Sequence, residues 1–253
     1  MKPTFLKYEK PLLTAMILCP TPEECIEKIK ASIDDGAEAL GIQLEKLEQE
    51  YRNKEDITRI FDACGARPIY ITSYKESESK DCSYDECAEL LLLGLECGAT
   101  LCDVFGDMYE HSPQYQLATG DEAVKKQKAM IDEIHRRGGE VLMSCHTYKS
   151  TTIEENLMIA KAQVERGADV IKIVNNAESA DEIPKYIEAI QQIKKMTDKE
   201  LLFLVSGEGR IIREIGPNFG VCMYLCLHSV GPTDTPMQPF IKNIKAIRDN
   251  IRF

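Results

Sequence analysis

Lys172 lies within an apolar run, ADVIKIVNN, and is the residue of this sequence best suited to covalent chemistry. Such a run is typical of a strand that is buried on both faces. A lysine there loses its hydration, which favours the neutral amine, and a neutral amine can attack the carbonyl carbon of a ketone. The alternative is a structural lysine that pairs with an acid on another strand, such as Asp103.

His146 ends the preceding apolar run, VLMSCHTY, and is a candidate proton carrier. An imidazole titrates near neutral pH, so it can act as both general acid and general base. The alternative is a histidine that only bonds the backbone at the end of a strand. Its place one strand before Lys172 favours the catalytic interpretation.

Arg213 lies in a third segment, SGEGRIIREIGPNFG, where a glycine-rich turn leads into a short helix. A guanidinium there can bind a carboxylate through two parallel hydrogen bonds. A surface ion pair with Glu208 or Glu214 is the alternative, and Arg210 competes for the same role.

Eight short apolar runs alternate with longer segments of helical periodicity, which indicates parallel βα units. The predicted strands are 11–18, 38–44, 67–73, 99–105, 139–145, 168–174, 200–205 and 220–227. The predicted helices lie near 22–35, 53–64, 84–97, 121–137, 152–166, 180–196, 208–214 and 236–252. Eight such pairs predict an α/β fold, a (β/α)8 TIM barrel that forms a single catalytic domain over residues 1–253. An open doubly wound sheet is the alternative, although no G-x-G-x-x-G follows the first strand.

Such a barrel carries its catalytic groups at the C-terminal ends of the strands and in the loops that follow. The polar residues at those positions are Gln43, Glu45, Thr72, Ser73, Tyr74, Asp103, His146, Lys172, Ser206, Glu208, His228 and Ser229. The lysine and the histidine are therefore expected at the same end of the barrel.

The composition argues against several classes of function. The net charge is −11 and no stripe of Lys and Arg occurs, so we expect no nucleic-acid partner. No apolar run reaches the roughly 18 residues of a membrane span, and the N-terminus lacks the features of a signal peptide, so we expect a cytoplasmic protein with no membrane partner. The ten cysteines form no C-x-x-C pair and no zinc-finger spacing, which predicts buried free thiols rather than a metal site.

Three segments together resemble the type I 3-dehydroquinate dehydratases. SCHTY is similar to the family's S-Y-H-D-F, ADVIKI to its A-D-I-V-K-I, and GRIIREIGPNFG to its G-x-I-S-R-x-x-G-x-x-F-G. The resemblance implies that Lys172 forms a Schiff base with the C3 ketone of 3-dehydroquinate. His146 would then remove a C2 proton and assist the loss of water from C1. It further implies that Glu78, in the loop after the third strand, orients the histidine, and that Arg213 meets the substrate carboxylate. The family also implies a homodimer, and nothing in the sequence requires a metal or a nucleotide cofactor.

The sequence departs from the family at residues that hold the substrate. The family's E-W-R-x-D reads GIQLE here, so Gly41 and Gln43 replace a glutamate and an arginine. Its F-T-F-R reads ITSY, which puts Tyr74 in place of another arginine. Its S-A-P-G-Q resembles DTPMQ, which keeps Gln238 and has Asp234 where serine is expected. The resemblance therefore implies a substrate pocket that includes Gln43, Tyr74, Asp234 and Gln238.

Three hypotheses follow for the function. The first is a 3-dehydroquinate dehydratase with an altered pocket for this small-molecule keto acid. The second is the same Schiff-base chemistry on another keto acid, as a dehydratase or an aldolase-like lyase. The third is a catalytically silent relative that binds a metabolite or a protein.

Overall fold

Eight parallel strands form one sheet in the computed structural model, which describes residues 3–75, 82–231 and 234–251. The strands are β1 (Leu12–Ile17), β2 (Ala39–Gln43), β3 (Ile69–Thr72), β4 (Leu101–Phe105), β5 (Glu140–His146), β6 (Val170–Ala177), β7 (Glu200–Gly207) and β8 (Met223–Cys226). Their order in the sheet is β7-β6-β5-β4-β3-β2-β1-β8. Just before β8, the Cys222 N–H donates to the Leu201 carbonyl of β7 at 2.8 Å, so this segment bonds to the strand at the other end of that order.

A helix follows each strand, as the sequence pattern predicts. The helices are α1 (Pro22–Asp34), α2 (Lys54–Asp62), α3 (Tyr84–Glu96), α4 (Asp121–Arg136), α5 (Ile153–Arg166), α6 (Ile183–Met196), α7 (Ile212–Ile215) and α8 (Ile241–Arg248). The eight alternating strands and helices confirm the predicted (β/α)8 barrel class.

Side-chain caps fix where several helices begin. The Thr21 hydroxyl accepts from the Glu24 N–H and Pro22 is the first residue of α1, as the sequence indicates. Helix α5 begins with a reciprocal capping box between Thr152 and Glu155. These caps satisfy backbone N–H groups that would otherwise have no partner in the first turn.

Of the predicted boundaries that differ from the structure, two are explained by backbone pairing. Helix α8 begins at Ile241 rather than near 236, because the chain before it pairs with Leu227. The Leu227 N–H donates to the Pro239 carbonyl at 2.9 Å, and the Ile241 N–H donates to the Leu227 carbonyl at 3.0 Å. Strand β6 runs on to Ala177, past its predicted end, because its ladder with β7 continues that far.

The chain divides into two compact units. The first comprises residues 1–103, 137–140 and 224–253, and the second comprises residues 104–136 and 141–223. Buried apolar side chains fill each unit, for example Leu40 in the first and Phe203 in the second. The single catalytic domain over residues 1–253 stays a prediction.

All ten cysteines are free thiols, as predicted, and eight of them are buried. Within residues 3–75, 82–231 and 234–251, no helix is both long and apolar enough to span a membrane. The same ranges contain no cluster of three His, Cys, Asp or Glu side chains placed to hold a metal ion.

Candidate active site

Lys172 lies in the middle of β6 with only 4 % of its surface exposed. Its register partners are Ser144 on β5 and Leu202 on β7. Side chains in register on parallel strands project from the same face of a sheet. Lys172 is therefore buried on one face of the sheet within the second unit, as the apolar run around it predicts.

His146 projects from the same face as Lys172. It lies two residues beyond Ser144 on β5, and residues i and i+2 of a strand share a face. The residue as a whole is partly exposed, and the ring of Tyr148 stacks on its imidazole with the ring centroids 5.9 Å apart and the planes at 21°. Tyr148 itself is 78 % exposed and has a positive φ of 52°.

The surroundings of His146 keep its imidazole neutral. Burial lowers the pKa of His146 well below its ordinary value, and the positive charges of Lys172 and Arg213 lower it further. A neutral imidazole at pH 7 can accept a proton, which is what a general base must do. Lys172 and Arg213 are therefore the cations whose charges act on the ring, and these three predicted site residues all belong to the second unit.

Arg213 lies on α7 and is 6 % exposed. Its Nε donates to the Val205 carbonyl at 2.9 Å and its Nη2 donates to the Ser206 hydroxyl at 3.1 Å. Both acceptors are neutral, and burial lowers the pKa of Arg213 to about 10, so the side chain stays charged at neutral pH. Neither Glu208 nor Glu214 forms an ion pair with it in the described chain, so the alternative of a surface ion pair was wrong. A buried guanidinium with only neutral partners favours binding of an anion.

Asp103 and two tyrosines form a buried cluster in the first unit. The hydroxyls of Tyr70 and Tyr74 each donate to Asp103 Oδ2 at 2.5 Å. Burial raises the pKa of Tyr70 well above its usual value, and the Asp103 carboxylate raises it further, so its hydroxyl keeps its proton. Tyr74, which the resemblance aligns with an arginine, thus has its hydroxyl held by a buried acid. Gln43 ends β2, in register with Thr72 on β3.

Gly41 is the residue that the resemblance aligns with a glutamate, and the side chains around it leave no room for one. A Cβ atom added to Gly41 would lie 2.4 Å from the Met16 sulfur and 3.1 Å from the Tyr70 ring. Met16 is the register partner of Gly41 on β1, so its thioether fills the space where a longer side chain would begin. The position that the resemblance aligns with a glutamate is thus next to a filled volume rather than a hole.

Asp234 and Gln238 lie in the loop between β8 and α8 and differ in their contacts. Both carboxylate oxygens of Asp234 lie 2.6 Å from Lys28 Nζ, and one accepts the Gly231 N–H at 2.7 Å. Asp234 therefore ties the loop to α1. The Gln238 Oε1 atom is buried and has no hydrogen-bond partner within the described ranges. It is the better candidate of the two for a ligand contact, because a buried acceptor without a donor is unfavourable. Glu78, the predicted orienting acid, lies outside the described residues.

Gln116 is a site residue that the sequence analysis missed. Its Oε1 atom lies 2.6 Å from His146 Nδ1 and 2.9 Å from the His146 backbone nitrogen. It belongs to the loop after β4, residues 106–118, in which no motif indicates a role. The contact depends on the path of this loop, and nothing in the local sequence could have revealed it.

Comparisons with known proteins identify the family of this chain and proteins of similar fold. The family model described as type I 3-dehydroquinase matches residues 13–251. The 3-dehydroquinate dehydratase of Klebsiella pneumoniae subsp. pneumoniae is 21 % identical over 244 residues, which cover 94 % of this chain and 92 % of that protein. The crystal structure of the type I enzyme of Clostridium difficile, determined with covalent modified comenic acid, has a TM-score of 0.80 at 20 % identity and covers 96 % of this chain and 93 % of its own. The 3-dehydroquinate dehydratase of Geobacillus kaustophilus has a TM-score of 0.78 at 16 % identity, with 95 % and 91 % covered. Because the family model matches most of its length, the chain belongs to the type I 3-dehydroquinase family.

Proposed function

We propose that this protein is a lyase that dehydrates 3-dehydroquinate, or a closely similar cyclic keto acid, through a Schiff base on Lys172. The observation that carries the proposal is the common face of Lys172 and His146 on neighbouring strands, with the charge of Arg213 close enough to act on the imidazole. Membership of the family supports the same reaction.

The reaction begins when Lys172 Nζ adds to the ketone carbon and the former ketone oxygen leaves as water, which gives an iminium ion. His146 removes a proton from the neighbouring carbon, and the electron pair of that bond moves into the iminium to form an enamine. The enamine expels the hydroxyl group on the next carbon, and His146 returns its proton so that this group also leaves as water. Hydrolysis of the conjugated imine releases the enone product and restores the lysine.

Arg213 binds the substrate carboxylate in this proposal. A carboxylate supplies the negative charge that the guanidinium lacks within its own surroundings, and it can accept two parallel hydrogen bonds. Gln43, Tyr74, Asp234 and Gln238 stay predicted substrate-binding residues. Of these, Asp234 acts indirectly, through its ion pair with Lys28.

Filled space and neutral groups at the family's charged positions favour a second candidate, the same chemistry on a different keto acid. The Met16 sulfur occupies the region next to Gly41, and a neutral tyrosine hydroxyl stands where the family has arginine. A site built to bond substrate hydroxyls loses orders of magnitude in discrimination when those bonds are absent. The second candidate substrate is therefore a ketone with fewer or differently placed hydroxyls.

Reduction with borohydride in the presence of 3-dehydroquinate, followed by peptide mass mapping, tests the proposal. We expect a reduced adduct on Lys172 in the native protein and in Lys161→Ala, an exposed control on α5, but none in Lys172→Ala. Formation of the enone, followed by ultraviolet absorbance, then measures turnover. An adduct only with other keto acids would favour the second candidate. No adduct with any keto acid would overturn both and leave the silent relative.

The homodimer, the cytoplasmic location and the lack of a cofactor stay predictions. Light scattering coupled to size-exclusion chromatography measures the oligomer directly, and activity after exhaustive chelation tests for a required metal.

A further inference from the structure

The Gln116 side chain contacts both the backbone and the imidazole of His146. Two groups of His146 approach the same atom of Gln116: the backbone N–H at 2.9 Å and ring atom Nδ1 at 2.6 Å. A backbone N–H can only donate, so the atom it meets must be the carboxamide oxygen and not the nitrogen. That oxygen can only accept, so Nδ1 must donate to it. In the neutral ring the proton is therefore on Nδ1, and the lone pair is on Nε2.

The backbone of the loop holds Gln116 in this position. Gln116 has a positive φ of 49°, a region that is unfavourable for a residue other than glycine unless its surroundings impose it. Its N–H donates to the Ser112 carbonyl at 3.0 Å, and the Ala118 N–H donates to the Gly106 carbonyl at 2.8 Å. A Cβ atom on Gly106 would lie 2.4 Å from the Gln116 carbonyl oxygen, so this approach requires glycine.

Arg166 and Gln127 secure the other side of the same turn. Their side chains donate to the Gly106 carbonyl at 3.1 Å and 2.9 Å, and a second nitrogen of the guanidinium donates to the Ala118 carbonyl at 2.5 Å. Strained backbone that is fixed from several sides is characteristic of functional sites.

We propose that Gln116 is a positioning residue that holds His146 as the Nδ1–H tautomer, so that Nε2 is the atom that accepts the substrate proton. The use of Nε2 in the reaction rests on the proposed function, whereas the tautomer does not. A neutral carboxamide suits this role beside Lys172 and Arg213. It orients the ring without adding a negative charge, which would favour the protonated imidazole.

Nitrogen-15 NMR of histidine-labelled protein at neutral pH tests the tautomer without any turnover. The chain has four histidines, so a His146→Gln variant assigns the resonances of the site. We expect a pyrrole-type Nδ1 and a pyridine-type Nε2 in the native protein. Gln116→Met, similar in size but without an acceptor, should lose this preference and lower kcat by about 10- to 100-fold with little change in KM. Gln116→Glu keeps an acceptor oxygen and should retain the proton on Nδ1, while its negative charge should raise the pH at which the ring titrates.

Gln114→Met, in an exposed part of the same loop, is the matched control and should leave the spectrum unchanged. A native protein with the proton on Nε2, or an unchanged tautomer in Gln116→Met, would overturn the proposal. If Gln116→Met does not fold, the native spectrum and that of Gln116→Glu decide the question. The expected tautomer together with no Lys172 adduct would refute the proposed function and the use of Nε2 in it, but would support the role of Gln116 in fixing the tautomer.

Discussion

Replacement of Arg213 by methionine should weaken substrate binding without lowering the stability of the fold. The guanidinium is buried against two neutral acceptors, and its pKa is lowered to about 10 from an ordinary 12.5. Burial of the charge thus opposes folding by about 3 kcal/mol, from 2.5 pKa units at roughly 1.36 kcal/mol each. Methionine removes this penalty while filling a similar volume.

The variant also loses two hydrogen bonds, which offsets part of that gain. The Ser206 hydroxyl is partly exposed and can turn to water, but the Val205 carbonyl loses its guanidinium donor at a cost of about 1–3 kcal/mol. The free energy of unfolding should therefore stay the same or rise by up to about 2 kcal/mol. Binding should suffer, because each charge-assisted bond to a carboxylate contributes about 1.5–3 kcal/mol, which corresponds to a rise in KM of at least about tenfold.

Urea denaturation and steady-state kinetics measure these two effects separately. Arg166→Met is the control, because this buried arginine donates to two carbonyls and to the Gln127 carboxamide, and its loss leaves three buried acceptors without that donor. We expect that control to lose at least about 3 kcal/mol of stability. A comparable loss of stability in Arg213→Met, or an unchanged KM, would refute the reasoning that Arg213 binds an anionic ligand.

Three further outcomes follow from the contacts of the site. Burial and nearby cations lower the pKa of His146, so the ring should stay neutral below pH 6.5. Lys172→Met removes one of these cations and should move the NMR titration of His146 to higher pH. A titration that does not move would show that the lysine charge has no effect on the ring. Gly41→Glu should destabilise the protein by about 1–3 kcal/mol through overlap with the Met16 sulfur, and the double variant with Met16→Ala should recover part of this in a denaturation cycle; additive losses would contradict it. Asp103→Leu removes the acceptor of two buried tyrosine hydroxyls and should lower the free energy of unfolding by about 2–6 kcal/mol. Asp103→Asn keeps one acceptor oxygen and should lower it by less. Equal losses in the two variants would indicate that packing, and not hydrogen bonding, is responsible.

Much of the fold could be predicted because the signals that begin and end its helices are local in the sequence. The start of α1 is indicated within four residues of sequence by Thr21, Pro22 and Glu24, and the structure shows the cap that they predict. The start of α8 could not be predicted in this way. It depends on the pairing of residues 239–241 with Leu227, which lies in a different part of the sequence.

The site residues likewise divide into those that the local sequence could reveal and those that it could not. Lys172 and His146 could be found because the apolar runs around them assign each to a buried strand from its own neighbours. Gln116 could not, because its role depends on a contact across 30 residues and on a backbone turn with no sequence signal. The ion pair of Asp234 with Lys28 spans 206 residues, and only the folded chain shows that this acid anchors a loop.

The ring of Tyr148 offers an optical signal for the proposed chemistry. The chain contains no tryptophan, so Tyr148→Trp would introduce a single indole fluorophore. It would lie largely in solvent and stack on the imidazole of His146, as the phenol ring does now. Its emission would respond to water and charge at that ring, and stopped-flow fluorescence could then follow ligand arrival and imine formation in real time.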